Sequence, residues 1–284
     1  MRFRPSVVLA LACALVVAMT GVAAASGDVR GPAKFMKPNM EKKLSKKGAK
    51  GVSIPLAALN TECPGVQSPG VSAAGCIVAP HGCTANFIFT DGSSQYVGTA
   101  RHCVDNIGQE VTMQLDTTTI GVVGRASHMT SGEGEPGNDW ALVRIDPAVA
   151  AEWGVNPEIP VIGGPQGIYT GCEPTQVAHY GHGYGVAVSQ GKPEFGFATN
   201  LYDDGYGWTG FGAPGDSGSP VITTLGGPAI GNFTHLLVDV GAYPGSDLAG
   251  TRITKAMRQF GVSLVNADGT TTGPAATSCG NAPN

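Results

Sequence analysis

Three short segments carry residue types able to do acid–base and nucleophilic chemistry. "VGTARHCVD" (97–105) sets His102 between Arg101 and Cys103. Taken alone, such a histidine reads as a packed side chain, a metal ligand or a base. "GNDWALVRI" (137–145) puts Asp139 at the mouth of an apolar run, where a carboxylate is costly to bury unless something hydrogen-bonds it. "GAPGDSGSPVI" (212–222) surrounds Ser217 with Gly215, Gly218 and the small Ser219, so the backbone can turn tightly, present the hydroxyl and aim its own amide outward. A serine hydroxyl is a weak nucleophile until a base takes its proton. A histidine base works best when a carboxylate fixes its tautomer and stabilises the imidazolium. Together the three segments would support acyl transfer at an amide or ester. There is no CxxC pair and no Cys/His cluster at zinc spacing, so no metal and no cofactor is implied. His81, His128, His179, His182 and His235 have no comparable context and read as surface or packing residues.

The elements that must position these residues read as strands. "CTANFIFT", the turn "DGSS" and "QYVGTA" form a hairpin that delivers His102 to a strand end. "EVTMQL", "TIGVVGRASHM" and "DWALVRI" follow. After a Gly/Pro-rich connector, "NPEIPVIGGPQGIYTG", a second set begins: "TQVAHYGHG", "YGVAVSQG", "PEFGFATNL", "SPVITT" and "PAIGNFTHLLVDV". Only "SDLAGTRITKAMRQFGVSLV" reads as a helix, capped by Ser246 or Asp247, with Leu248, Ile253, Met257 and Phe260 near one face. The chain is expected to be all-β, with two antiparallel barrels in tandem and a C-terminal helix.

Composition divides the 284 residues further. Residues 1–25 have a basic front, an apolar run shorter than about 20 residues and a small-residue exit, the pattern of a secretory signal and not of a stable membrane span. Residues 26–62 hold eight Lys or Arg against three Asp or Glu, a net of +5, whereas from Cys63 onward seven face eighteen, a net of −11. This basic leader reads as a flexible tether or, through long-range charge, as a pro-segment and intramolecular partner of the acidic domain. A nucleic-acid partner is set aside because only the leader is basic. The domain itself spans 63–265, with barrel one at about 76–160 and barrel two at about 172–265; 266–284 is a mobile tail apart from Cys279. Export leaves six cysteines and up to three disulfides in an extracellular, secreted protein.

"TARHC", "NDWALV" and "GDSGSP", in that order, resemble the trypsin/chymotrypsin-like serine endopeptidases, especially their bacterial secreted members; the likeness covers about residues 76 to 265. It implies two six-stranded barrels, a polypeptide substrate and a monomer. His102 would be general base and acid, Asp139 its orienting carboxylate, Ser217 the nucleophile, and the amides of Gly215 and Ser217 the oxyanion hole. Cys83 and Cys103 match the family disulfide that ties down the histidine loop. The pairing of the other four cysteines stays open, with Cys172–Cys279 and Cys63–Cys76 taken as the working assignment.

Three departures from the family pattern bear on activation and specificity. No Ile-Val-Gly-Gly sequence is present to supply an ammonium partner for Asp216, which must pair elsewhere or stay solvated. The cysteine pair flanking the specificity pocket is missing. The residues expected near the base of that pocket, Phe211, Gly212 and Ala213, include no acid, so small or apolar side chains are expected there in place of Lys or Arg. Thr234 is expected to hydrogen-bond Asp139. The alternative function is a catalytically silent binding module on a protease scaffold. An α/β-hydrolase esterase is disfavoured because Ser219 and Pro220 replace the glycine and helix start it needs.

Overall fold

Short runs of β-branched and aromatic residues, ended by Gly, Asp and Pro, dictate strands over most of the chain. The computed structural model describes residues 52–55, 63, 68–132, 134–183, 191–238, 243 and 245–282. The expected signal segment, most of the leader, and the strand expected at "YGVAVSQG" apart from Gly191 lie outside the described residues.

An early strand, β1 (Val52–Pro55), precedes barrel one. β2 (Val71–Ser72) stands outside the barrel sheet, and barrel one itself contains β3 (Cys76–Ala79), β4 (Cys83–Thr84), β5 (Ile88–Thr90), β6 (Gln95–Thr99), β7 (Glu110–Gln114), β8 (Ile120–Met129) and β9 (Ala141–Ile145). A helix, α1 (Pro147–Trp153), and β10 (Val155–Asn156), which pairs with β2, lead into the connector. Barrel two contains β11 (Thr175–Tyr180), β12 (Pro193–Leu201), β13 (Gly205–Thr209), β14 (Pro220–Ile222), β15 (Ala229–Val238) and β16 (Leu248–Arg252). The chain ends with α2 (Ile253–Phe260), β17 (Ser263–Val265) and β18 (Thr271–Thr272).

β4 and β5 are two ends of one bent strand, because Ala85 N donates to Gly75 O and Asn86 N to Gly98 O between them. Counted that way, each barrel has six antiparallel strands joined in the same order: first, second, third, sixth, fifth, fourth, and back to first. The expected pair of six-stranded barrels is therefore present. Period-two burial sustains it: in β7, Val111 and Met113 face inward while Glu110 is exposed. An aliphatic cluster including Ile77, Val97, Val111, Met113 and Val143 fills barrel one, and Tyr206, Trp208, Ile230 and Phe233 fill barrel two. A third cluster joins them, with Phe87, Phe89, Trp140 and Leu142 packed together with Tyr180, Ile222, Ile253 and Met257. That shared layer joins the two barrels where the three chemical segments meet.

Four expectations are corrected. The late helix covers only 253–260, and Leu248 belongs to the strand β16 that closes barrel two. A Cβ on Gly250 would sit 1.9 Å from Asn232 O, so the ladder needs this stretch extended and buried, whatever its local helical pattern. A second helix, α1, was not expected; Asp146 caps it by accepting from Ala148 N, and Pro147 opens it. Residues 266–282 are not a free tail: β18 pairs with β17, Arg258 donates to Ala275 O at 2.7 Å, and Cys279 bonds to Cys172. Within the expected leader, residues 52–55 form β1 on barrel two.

All three cysteine pairs form: Cys63–Cys76, Cys83–Cys103 and Cys172–Cys279. Among the described residues, no helix is long and apolar enough to cross a membrane.

Candidate active site

His102 lies in a 3-10 turn, Arg101–Cys103, directly after β6. The disulfide from Cys103 to Cys83 ties this turn to β4 and closes a loop with a sequence separation of 20 residues. In the chain-entropy model such a closure contributes roughly 3 kcal/mol, and it restrains the neighbouring ring. Asp139 enters just before β9 and is fully buried. Its carboxylate accepts from His102 N at 3.0 Å through Oδ1 and meets His102 Nδ1 at 2.6 Å through Oδ2. On the other side of the ring, Nε2 lies 2.7 Å from Ser217 Oγ. Imidazole, carboxylate and hydroxyl are thus in one hydrogen-bonded line across the two barrels.

Barrel two also holds Asp139 by its backbone. Asp139 N donates to Thr251 Oγ1 at 2.9 Å, and Asn232 Nδ2 donates to Asp139 O at 2.9 Å. Lys255, on α2, donates to Gly137 O and Asn138 Oδ1 in the same loop. The expected bond from Thr234 to Asp139 is absent. Thr234 Oγ1 bonds Ala249 O, and the following residue, His235, faces the carboxylate, with Nδ1 3.7 Å from Oδ2. A register shift between Phe233 and His235 explains the one-residue slip. His235 is buried, with its ring 5.8 Å from that of His102, and burial pulls it down to about 4 in spite of the Asp139 charge. It is neutral around pH 7.

The serine turn is locked by a buried carboxylate. Asp216 finds its partners in backbone amides, accepting from Gly183 N at 2.7 Å and Ala213 N at 2.8 Å. Across the barrel boundary, Thr84 N donates to Ser217 O, and Thr84 Oγ1 donates to Gly215 O while accepting from His182 N. Gly218 has φ of 90°, and a Cβ there would meet Thr84 O at 2.2 Å, so this close approach requires glycine. Among the described residues, neither the Gly215 nor the Ser217 amide donates to a protein acceptor.

The expected pocket residues are placed differently from one another. Phe211 is 66% exposed, Ala213 is buried, and a Cβ on Gly212 would meet the Phe233 ring at 2.3 Å. The remaining histidines fall into two groups. His81 pairs with Asp105 at the surface, and His128 packs between Tyr96 and Phe260. His179 and His182 are buried, donating to Phe211 O and Ala74 O. Burial also lowers the pKa of His179, opposed by the nearby Asp216 charge. Cys83, His102 and Cys103 bring potential ligand atoms together, but both sulfurs are spent in the disulfide and offer no thiolate.

Residue type and spacing assign no role to Thr251, Asn232 or Thr84, and give His235 only that of a surface or packing residue. His235 sits in an apolar strand, where a buried polar ring is the one signal that could have drawn notice.

No family model matches the chain, and no curated protein matches it. Solved structures do. Thermobifida fusca protease A shares 20% identity over 69% of this chain and 98% of that one, with a TM-score of 0.44. The alpha-lytic protease homolog N4 gives 19%, 68%, 98% and 0.46 in the same terms. The serine protease domain of the Sesbania mosaic virus polyprotein gives 16%, 67%, 96% and 0.44. The architecture itself rests on the strand order described above, independently of these likenesses. By that order, twice six antiparallel strands with the candidate residues where the two barrels meet, the chain has the trypsin/chymotrypsin-like serine protease fold.

Proposed function

We propose that the chain is a secreted serine endopeptidase that hydrolyses peptide bonds through an acyl-enzyme. The observation that carries this reading is the pair of short contacts at the His102 ring, 2.6 Å to Asp139 and 2.7 Å to Ser217. Ser217 Oγ attacks the substrate carbonyl as His102 Nε2 accepts its proton. Asp139 holds the ring by Nδ1 and stabilises the imidazolium. The carbonyl oxygen, now carrying negative charge, takes hydrogen bonds from the Gly215 and Ser217 amides. The C–N bond then breaks as His102 returns the proton to the leaving amine. Water, deprotonated by the same ring, attacks the ester and releases the acid.

Phe211, Gly212 and Ala213 carry no charge to meet a lysine or arginine, which supports a preference for small or apolar side chains at the cleaved position. An N-terminal signal on 1–25, extracellular location, a leader removed as a pro-segment and a monomeric enzyme complete the reading, consistent with three disulfides in the domain.

A serine-directed fluorophosphonate tests the reading. The chain, full-length or trimmed of its leader, should be labelled at Ser217, and Ser217→Ala should remove both label and peptidase activity, by about 10⁶-fold in kcat. Absence of label in both forms would leave only the silent binding module.

A further inference from the structure

One edge of β15 is occupied from end to end. Gly218 N donates to Phe233 O at 2.7 Å and Phe233 N to Ser219 O at 2.9 Å, so the serine turn holds this edge up to Phe233. From His235 onward the partner is β1: Pro55 faces His235, Ile54 faces Leu236, Ser53 faces Leu237 and Val52 faces Val238, all antiparallel. His235 and Leu236 are paired to β16 on the opposite edge, which places β1 on the serine side. The antiparallel register also fixes direction. β1 runs toward the serine turn, and its last residue, Pro55, lies beside the His235 whose ring contacts His102.

A peptide substrate must bring a carbonyl within about 3–3.5 Å of Ser217 Oγ. The free edge adjoining the nucleophile is where an extended backbone can bind by strand addition while doing so. In the full chain that edge is filled, and Ser217 has no exposed surface. We infer that β1 is a built-in occupant of the track for the acyl side of the substrate, so that the full chain is latent as a peptidase until residues through Pro55 are cut away. This rests on the endopeptidase reading above. Tethering gives four residues of strand an effective concentration near the millimolar range, which a cut abolishes. The Cys63–Cys76 bond makes the release clean: a break within 56–62 frees β1, while the chain from Cys63 onward stays anchored to β3.

The test is a full chain carrying a site for a sequence-specific protease between Asn60 and Thr61, cut only after folding. Turnover of a quenched peptide with four residues on the acyl side is measured before and after the cut, alongside fluorophosphonate labelling of the cut form. Turnover should rise by at least about tenfold, and an acetylated peptide of sequence Val-Ser-Ile-Pro-Leu added in excess should lower it again. Cut protein that takes the label at Ser217 yet turns over peptide no faster than uncut protein would overturn the inference and spare the endopeptidase reading. Failure of the cut protein to take the label would remove both.

Discussion

The core cluster of barrel one is aliphatic, with Ile77, Val97, Val111, Met113 and Val143 lacking exposed surface, and its fully buried polar side chains include Thr84, Asn86 and Thr99. In barrel two the same strand order encloses Trp208, Tyr206 and Phe233 together with His179, Asn232, Thr251 and Asp216, all buried. The two also anchor their contributions to the cleft differently. Barrel one holds His102 on a turn stapled by a disulfide, whereas barrel two holds Ser217 on a turn hydrogen-bonded to a buried carboxylate. One topology thus serves two ends. An apolar barrel can carry a base on a covalently restrained loop. A nucleophile with free amides beside it needs a polar interior, because backbone N–H groups there must be aimed and cannot be left to water.

After loss of the nucleophile itself, the largest effect should come from the residue that joins the barrels. Asp139→Asn keeps the shape of the side chain but presents the wrong partner to His102 Nδ1, so kcat on a peptide substrate should fall by about 10⁴-fold. Steady-state kinetics would check this, and activity within tenfold of wild type would break the proposed division of labour.

Next is the polar anchor of barrel two. Asp216→Ala leaves the Gly183 and Ala213 amides without their acceptor in a buried site, at a cost of roughly 4 kcal/mol for the two groups. Urea unfolding should show that loss together with reduced activity. An unchanged midpoint would mean that the serine turn is held by its neighbours alone.

Smallest, and sharpest as a contrast, is the response to acid. His235 is held down to about 4, and burial shifts His179 the same way, as it does the less deeply buried His128 of barrel one. Between about pH 6.5 and 4 the unfolded chain therefore binds more protons than the folded one. Stability present above pH 6.5 should decline as pH falls through this window, by up to about 3 kcal/mol from His235. Hydrogen exchange at pH 7 and pH 4.5 should show β11–β16 losing protection before β5–β9. The reverse order would show that the polar interior is not the weaker one.

Local pattern made some of this legible. The run from Cys83 to Thr99 announces a hairpin by its alternation and its Asp91–Gly92 turn, and the structure has it there. Asp146–Pro147 carries the usual cap and first-turn proline of a helix, and α1 begins there. "LAGTR" misled because helix-like spacing says nothing of the ladder on both sides that extends it. β13 (Gly205–Thr209) escaped notice because two glycines in "GYGWT" dilute the apolar alternation.

What the sequence determined by itself was chemistry by residue type. An imidazole, a carboxylate and a hydroxyl stand each in a local setting suited to its part, and six cysteines suffice for three bonds. Tertiary structure alone decided who meets whom: His102 and Ser217 across 115 residues, Asp216 with the Gly183 amide, His235 and not Thr234 at Asp139, β1 along β15. The physical reason is that type and spacing govern interactions within a few residues. A contact between distant segments is set by how two barrels pack, and a single bulge in one strand is enough to exchange the side chain that arrives.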